Sequence, residues 1–181
     1  MRKSYTLLVF IFVLHFLNAQ QFSDKEYDLV QNALDKAKVE QKQVFVNYYS
    51  TSCEYSNEMK KQMKDDTLKS LFETDYVVVD IEVPEELTAE YVNCNNLVKS
   101  FGEEKCNPRK FPFWYILDEN GDLMETSFKN SSHNKTGYPS TKKDVFEFVD
   151  VIRNTSKLTE DELSVIVASF HENNKKIVDL Q

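Results

Sequence analysis

Two short runs set the terms for this chain. Gln43 to Tyr49 (QVFVNYY) and Tyr76 to Glu82 (YVVVDIE) are β-branched and aromatic, the composition of buried strands. Between them, Met59, Met63, Leu68, Leu71 and Phe72 recur at helical spacing. They predict one helix that begins after the polar turn Ser50-Thr51-Ser52-Cys53 and ends near Thr74. Ahead of the first strand, Ser23-Asp24-Lys25-Glu26 has the capping-box pattern, and Tyr27, Val30, Leu34 and Ala37 follow with helical period, predicting a helix from about Ser23 to Glu40. Helices alternating with buried strands place the chain in the α/β class.

Past Pro84 a looser helical pattern runs from Glu85 to Phe101, and a polar loop then leads to Phe111-Pro112. Phe113 to Leu117, the turn Asp118-Glu119-Asn120-Gly121, and Asp122 to Phe128 read as a hairpin, because Asn-Gly readily takes positive φ. The stretch from Asn130 to Ser140, with Gly137 and Pro139, reads as a surface loop. Two helices close the chain. One runs from about Thr141 to Asn154 with Val145, Phe148, Val149 and Ile152 on one face; the other starts at the capping box Thr159 to Glu162 and carries Leu163, Ile166, Val167 and Phe170.

Residues 1 to 19 have a basic start (Arg2, Lys3), an apolar stretch from Leu7 to Leu17 and the small residue Ala19, the anatomy of a cleavable secretory signal. The stretch is shorter than the ~20 residues a spanning helix needs, so no membrane span is expected after cleavage. The expected mature chain, 20–181, is a single domain with a core over about 41–155 and a helical extension over 156–181. Its charge would be 20 − 30 = −10. With no basic block to displace counterions, nucleic acid is excluded as a partner. Apolar types at 41% and aromatic ones at 13% are enough for a buried core. Export to the periplasm or the extracellular space permits disulfides; an endoplasmic-reticulum lumen is disfavoured because the C-terminal Val178-Asp179-Leu180-Gln181 is no retention signal.

Three cysteines, Cys53, Cys94 and Cys106, leave one thiol over, and three pairings can be drawn. Cys94 and Cys106, separated by 11 residues, form the candidate structural disulfide, and a loop of that size stabilises by roughly 3 kcal/mol. Cys53 then stays free. The spacings contain neither Cys-x-x-Cys nor paired histidines, so no metal and no other cofactor is expected.

Two segments carry a resemblance. VFVNYYSTSCEYS resembles the strand and loop that bear the Cys-x-x-Cys motif of the thioredoxin superfamily, and FPFWYILDENGDL resembles that family's cis-proline and following hairpin. A GYP segment followed by two helices is similar to secreted bacterial thioredoxin-like proteins. The resemblance implies a three-layer α/β/α fold with a mixed central sheet and additional C-terminal helices. It also implies a catalytic Cys53 at the first turn of a helix, where unpaired N–H groups and the helix dipole favour the reacting thiolate. Ser56 is expected to donate a hydrogen bond to that sulfur. Glu54 and Tyr55 are expected to face a bound partner, and a cis peptide at Phe111-Pro112 would leave the Phe111 backbone free to pair with an extended substrate.

The departures from the family pattern all point one way. Ser56 stands where the family has its second cysteine, Ser52 where it has Trp, and Asn47 where it has a buried Asp. A Cys-x-x-Ser site can attack a disulfide but cannot resolve the mixed disulfide internally. The resulting expectation is a monothiol oxidoreductase or isomerase that exchanges disulfides with exported client proteins or with another thiol–disulfide protein. Two alternatives stand beside it: a redox-inactive module that binds proteins through the same scaffold, and a disulfide-linked homodimer through Cys53.

Overall fold

The computed structural model describes residues 24–85, 111–127 and 137–179. The predicted helix beyond Glu85, with Cys94, and the loop that carries Cys106 lie outside the described residues, as do the signal segment and residues 128–136.

A first helix, α1 (24–40), precedes strand β1 (Gln43–Tyr49). Helices α2 (Glu54–Lys64) and α3 (Asp66–Asp75) lead to β2 (Tyr76–Glu82), and the hairpin strands β3 (Phe113–Leu117) and β4 (Leu123–Thr126) follow. Helices α4 (Lys142–Thr155) and α5 (Glu160–Asp179) complete the described chain. The sheet order is β2-β1-β3-β4, with β1 parallel to β2 and antiparallel to β3, and β3 antiparallel to β4. The sheet is therefore mixed, as expected.

Alternation along the strands builds two cores. Val44, Val46 and Tyr48 of β1, with Ile81, Phe113, Tyr115 and Leu117, face Ala33 and Ala37 of α1. Phe45, Tyr76, Trp114 and Ile116 face the other way, against Met59 and Met63 of α2, Phe72 of α3, Phe148 of α4 and Phe170 of α5. Among the described residues one helix covers one face and four cover the other, which gives three layers. Among the described residues no helix is long and apolar enough to cross a membrane.

Local sequence explains the boundaries, with three corrections. The helix predicted to run to Thr74 is two helices, because Asp65 leaves helical geometry (φ −58°, ψ 132°) and its carboxylate accepts from the Thr67 N–H at 3.1 Å, capping α3. In the hairpin only Gly121 takes positive φ (91°) and Asn120 does not; the Asp118 carboxylate instead gathers the N–H groups of Asn120 and Asp122. Glu26 reaches inward, only 7% exposed, and accepts from the Tyr48 hydroxyl, while Tyr27, placed on the apolar face by the sequence pattern, is 67% exposed. Both C-terminal capping boxes are present, Thr141 with Asp144 and Thr159 with Glu162.

Candidate active site

β1 ends at Tyr49 in the middle of the sheet, and the turn Ser50-Thr51-Ser52 delivers Cys53 to the N-cap of α2. The turn is closed by Cys53 N–H donating to Ser50 O at 3.1 Å, by the Ser50 and Ser52 hydroxyls at 2.9 Å, and by Asn57 Nδ2 donating to Thr51 O at 3.0 Å. Cys53 has extended backbone (φ −102°, ψ 119°), is half-buried and carries a free thiol. Its sulfur does not cap the helix. The thiol donates instead to the carbonyl of Phe111 at 3.1 Å, across from the start of β3.

The Phe111-Pro112 peptide is cis. Phe111 and Pro112 are both buried, and the Phe111 ring packs 5.5 Å from that of Phe113. The two carbonyls of this peptide pair are both engaged: Phe111 O by the thiol, and Pro112 O by the Gly137 N–H at 2.6 Å. The sequence had left the Phe111 backbone open for a partner; its carbonyl is in use at rest.

Ser56 also departs from its expected role. It is 0% exposed, and its hydroxyl accepts from the Ser50 N–H at 3.3 Å, so it fastens the turn and not the sulfur. Below it, the wholly buried Asn47 donates from Nδ2 to Asp80 Oδ1 at 2.9 Å, and Asn47 Oδ1 has no partner among the described residues. At the end of the same strand Tyr49 donates to Glu82 Oε2 at 2.7 Å and accepts from Lys60 Nζ at 2.6 Å. Burial first, then the Glu82 carboxylate, hold the Tyr49 phenol above its ordinary range.

Of the two residues inside the motif, Glu54 is exposed in the first turn of α2. Tyr55 is half-buried, with its ring stacked on that of Tyr138 at 5.4 Å and 20°. Tyr138 was not read as part of the site. It sits in Gly137-Tyr138-Pro139, a segment that the sequence presented as surface loop, yet the Tyr138 side chain is 2% exposed. The only sequence signal was the glycine: a Cβ at Gly137 would stand 2.8 Å from Pro112 O and 2.9 Å from Trp114 Cδ1.

A cleft of about 340 Å³ opens between β4 and α4, lined by Trp114, Glu125, Asp144, Glu147 and Phe148, and Cys53 is not part of its lining. No group of three His, Cys, Asp or Glu that could hold a metal ion occurs among the described residues.

Comparison with known proteins bears on this arrangement. A search of curated proteins gives no match. Among solved structures the chain is similar to a disulphide isomerase from Xylella fastidiosa Temecula1, at 18% identity and TM-score 0.46 over 56% of this chain and 72% of that one. It is also similar to a DsbH oxidoreductase (16%, TM-score 0.41, 70% and 81%). The reduced N-terminal domain of PilB from N. meningitidis is a third (13%, TM-score 0.32, 67% and 89%). The model of the thioredoxin-like domain matches residues 30–129, from within α1 to just past β4 and through both Cys53 and Pro112. By that match, and by the mixed sheet between helical layers, the chain belongs to the thioredoxin-like domain family.

Proposed function

We propose that this protein is an exported monothiol thiol–disulfide exchange protein whose partners are polypeptides. The observation that carries the reading is the placement of Cys53: a half-buried free thiol at the mouth of α2, 3.1 Å from the carbonyl preceding a cis-proline, with a buried serine three residues on.

The chemistry follows from what the site holds. The Cys53 thiolate attacks one sulfur of a client disulfide; a Cys53–client S–S bond forms, the client S–S bond breaks, and the other client sulfur leaves as a thiolate. Ser56 cannot attack the mixed disulfide, and Asn47 cannot carry a proton to or from it. Release therefore takes a second client thiol or an external small thiol, which makes rearrangement of client disulfides a more natural outcome than their net reduction.

A peptide fits this site better than a small molecule does. The thiol lies beside a backbone carbonyl and outside the lining of the cleft between β4 and α4. An extended client can donate an N–H to Phe111 O when the thiol gives up that bond on ionising. Glu54, exposed beside Cys53, would meet that client. The basic and apolar N-terminal segment supports export, and in this reading the clients are exported proteins of the periplasm or the extracellular space. The test is covalent trapping on non-reducing gels of exported full-length protein. Client adducts should vanish in Cys53→Ala and build up in the wild type; adducts that persist in Cys53→Ala overturn the proposal.

The committed positions of Ser56 and Asn47, one tied to Ser50 and the other to Asp80, also suit a scaffold that binds proteins without exchanging disulfides. In that case the same gel shows no Cys53 adducts, and binding survives Cys53→Ala.

A further inference from the structure

The C-terminal helix reaches the candidate site through side chains that the exchange chemistry does not use. α5 runs along α2 as a seam of polar pairs. Ser169 Oγ donates to Gln62 Oε1 at 2.8 Å, and one turn further along both helices Asn173 Nδ2 donates to Glu58 Oε2 at 3.0 Å. As the seam continues toward Cys53, Tyr138 fills it. Its hydroxyl accepts from Asn173 Nδ2 at 2.9 Å and donates to Asn174 Oδ1 at 2.8 Å, and Asn174 Nδ2 closes the loop on Pro139 O at 2.9 Å. The ring held this way is the one on which Tyr55 lies.

The same three-residue segment holds the opposite edge of the site. Gly137 N–H binds Pro112 O at 2.6 Å, and Gly137 O accepts from Trp114 Nε1 at 2.8 Å. Residues 137–139 thus contact Tyr55, two residues after Cys53, and Pro112, next to Phe111. Packing against Phe170 would bury the Tyr138 ring without these amides. A satisfied polar network adds a single fixed orientation, since any other leaves buried polar groups unpaired.

We infer that Tyr138 is a positioning residue for Cys53, oriented by Asn173 and Asn174, so that α5, which lies outside the matched family segment, completes the active site. This rests on the exchange reading proposed above. The amides fix the phenol, the phenol fixes the Tyr55 ring, and Tyr55 fixes the first turn of α2 that carries the thiol.

The experiment compares the full-length wild type with Tyr138→Phe, which keeps the ring and loses both hydroxyl bonds, and with Asn173→Ala. Two quantities are measured: amide hydrogen exchange at residues 53–57, and the rates at which Cys53 reacts with a disulfide-bonded peptide and with iodoacetamide. Loss of two hydrogen bonds should speed exchange by about tenfold at Cys53 and Asn57, the amides of this segment that donate to Ser50 O and Cys53 O, while β1 and α4 keep wild-type protection. The peptide reaction should slow several-fold while iodoacetamide, which needs no alignment, does not slow. A purely structural tie would instead raise exchange throughout α2, α4 and α5 and leave the ratio of the two rates unchanged. That result, or wild-type protection at 53–57 in both variants, overturns the inference. Should the wild type itself form no peptide adduct, the exchange reading fails, and hydrogen exchange at 53–57 still decides whether Tyr138 positions the thiol.

Discussion

Returning the family's carboxylate to β1, by Asn47→Asp, is the most informative single change. Asn47 is wholly buried, its one hydrogen bond donates to Asp80 at 2.9 Å, and its carbonyl oxygen meets no donor among the described residues. A carboxylate there loses the donor and gains a like charge. A hydrogen bond to a charged group contributes roughly 1.5–3 kcal/mol. Two carboxylates about 4 Å apart repel by about 4 kcal/mol at an effective dielectric of roughly 20. The variant limits the damage by holding a proton, so a loss of about 3–5 kcal/mol at pH 8 is expected, a large part of a typical stability of roughly 5–15 kcal/mol. The sign with pH follows from the raised folded-state pKa of the new carboxyl: the folded state binds the extra proton, so stability is highest at low pH and falls as pH rises. Urea unfolding at pH 5 and pH 8 measures it. At least half of the loss should be recovered at pH 5, where the protonated carboxyl can again donate to Asp80. A variant within about 1 kcal/mol of wild type at pH 8, with no pH dependence of its own, would refute the reasoning that Asn47 serves as a buried neutral donor.

Other consequences are equally open to measurement. Gly137→Ala drives a Cβ to 2.8 Å from Pro112 O and 2.9 Å from the Trp114 ring, so unfolding free energy should drop by about 1–3 kcal/mol, and a loss below about 0.5 kcal/mol would show that the segment yields freely. Asp65→Ala removes the cap between α2 and α3 and should cost about 1 kcal/mol in urea unfolding; an unchanged midpoint would mean that packing alone breaks the helix. Burial pushes the Tyr76 phenol up to about 12, so the folded state keeps a proton that the unfolded chain gives up near pH 10. Stability is thus full below pH 10 and should fall by roughly 2–3 kcal/mol on Tyr76's account by pH 12. Tyr76→Phe should flatten that slope, and an equal slope in both proteins would contradict the assignment.

What could be read from the residues was whatever depended on short-range pattern. The runs at 43–49 and 76–82 are strands, as their β-branched and aromatic residues predict, and they pair from Gln43 opposite Tyr76 to Tyr49 opposite Glu82. Thr159 caps its helix because Glu162, three positions on, completes the box. What could not be read depended on distant partners. Asp65 looks like any polar helix residue until its ψ of 132° is seen. The place of Ser56 in the motif sets it beside the sulfur, but its hydroxyl accepts from the Ser50 N–H. Tyr138 looks like a loop residue because the amides that hold its hydroxyl are 35 and 36 positions away. The meeting of Cys53 with the Phe111-Pro112 cis peptide was thus legible, while the side chains of α5 that hold Tyr138 were not.

The central claim is that one thiol acts without internal resolution. It is tested most directly by mixing the reduced, full-length protein with one equivalent of a disulfide-bonded peptide and following the products by intact and peptide-mapped mass. The account predicts a persistent adduct at Cys53, one peptide thiol released per adduct, and discharge only on addition of a second thiol. An adduct that resolves unaided into an intramolecular disulfide at Cys53, or a Cys53 that forms no adduct at all, would contradict it.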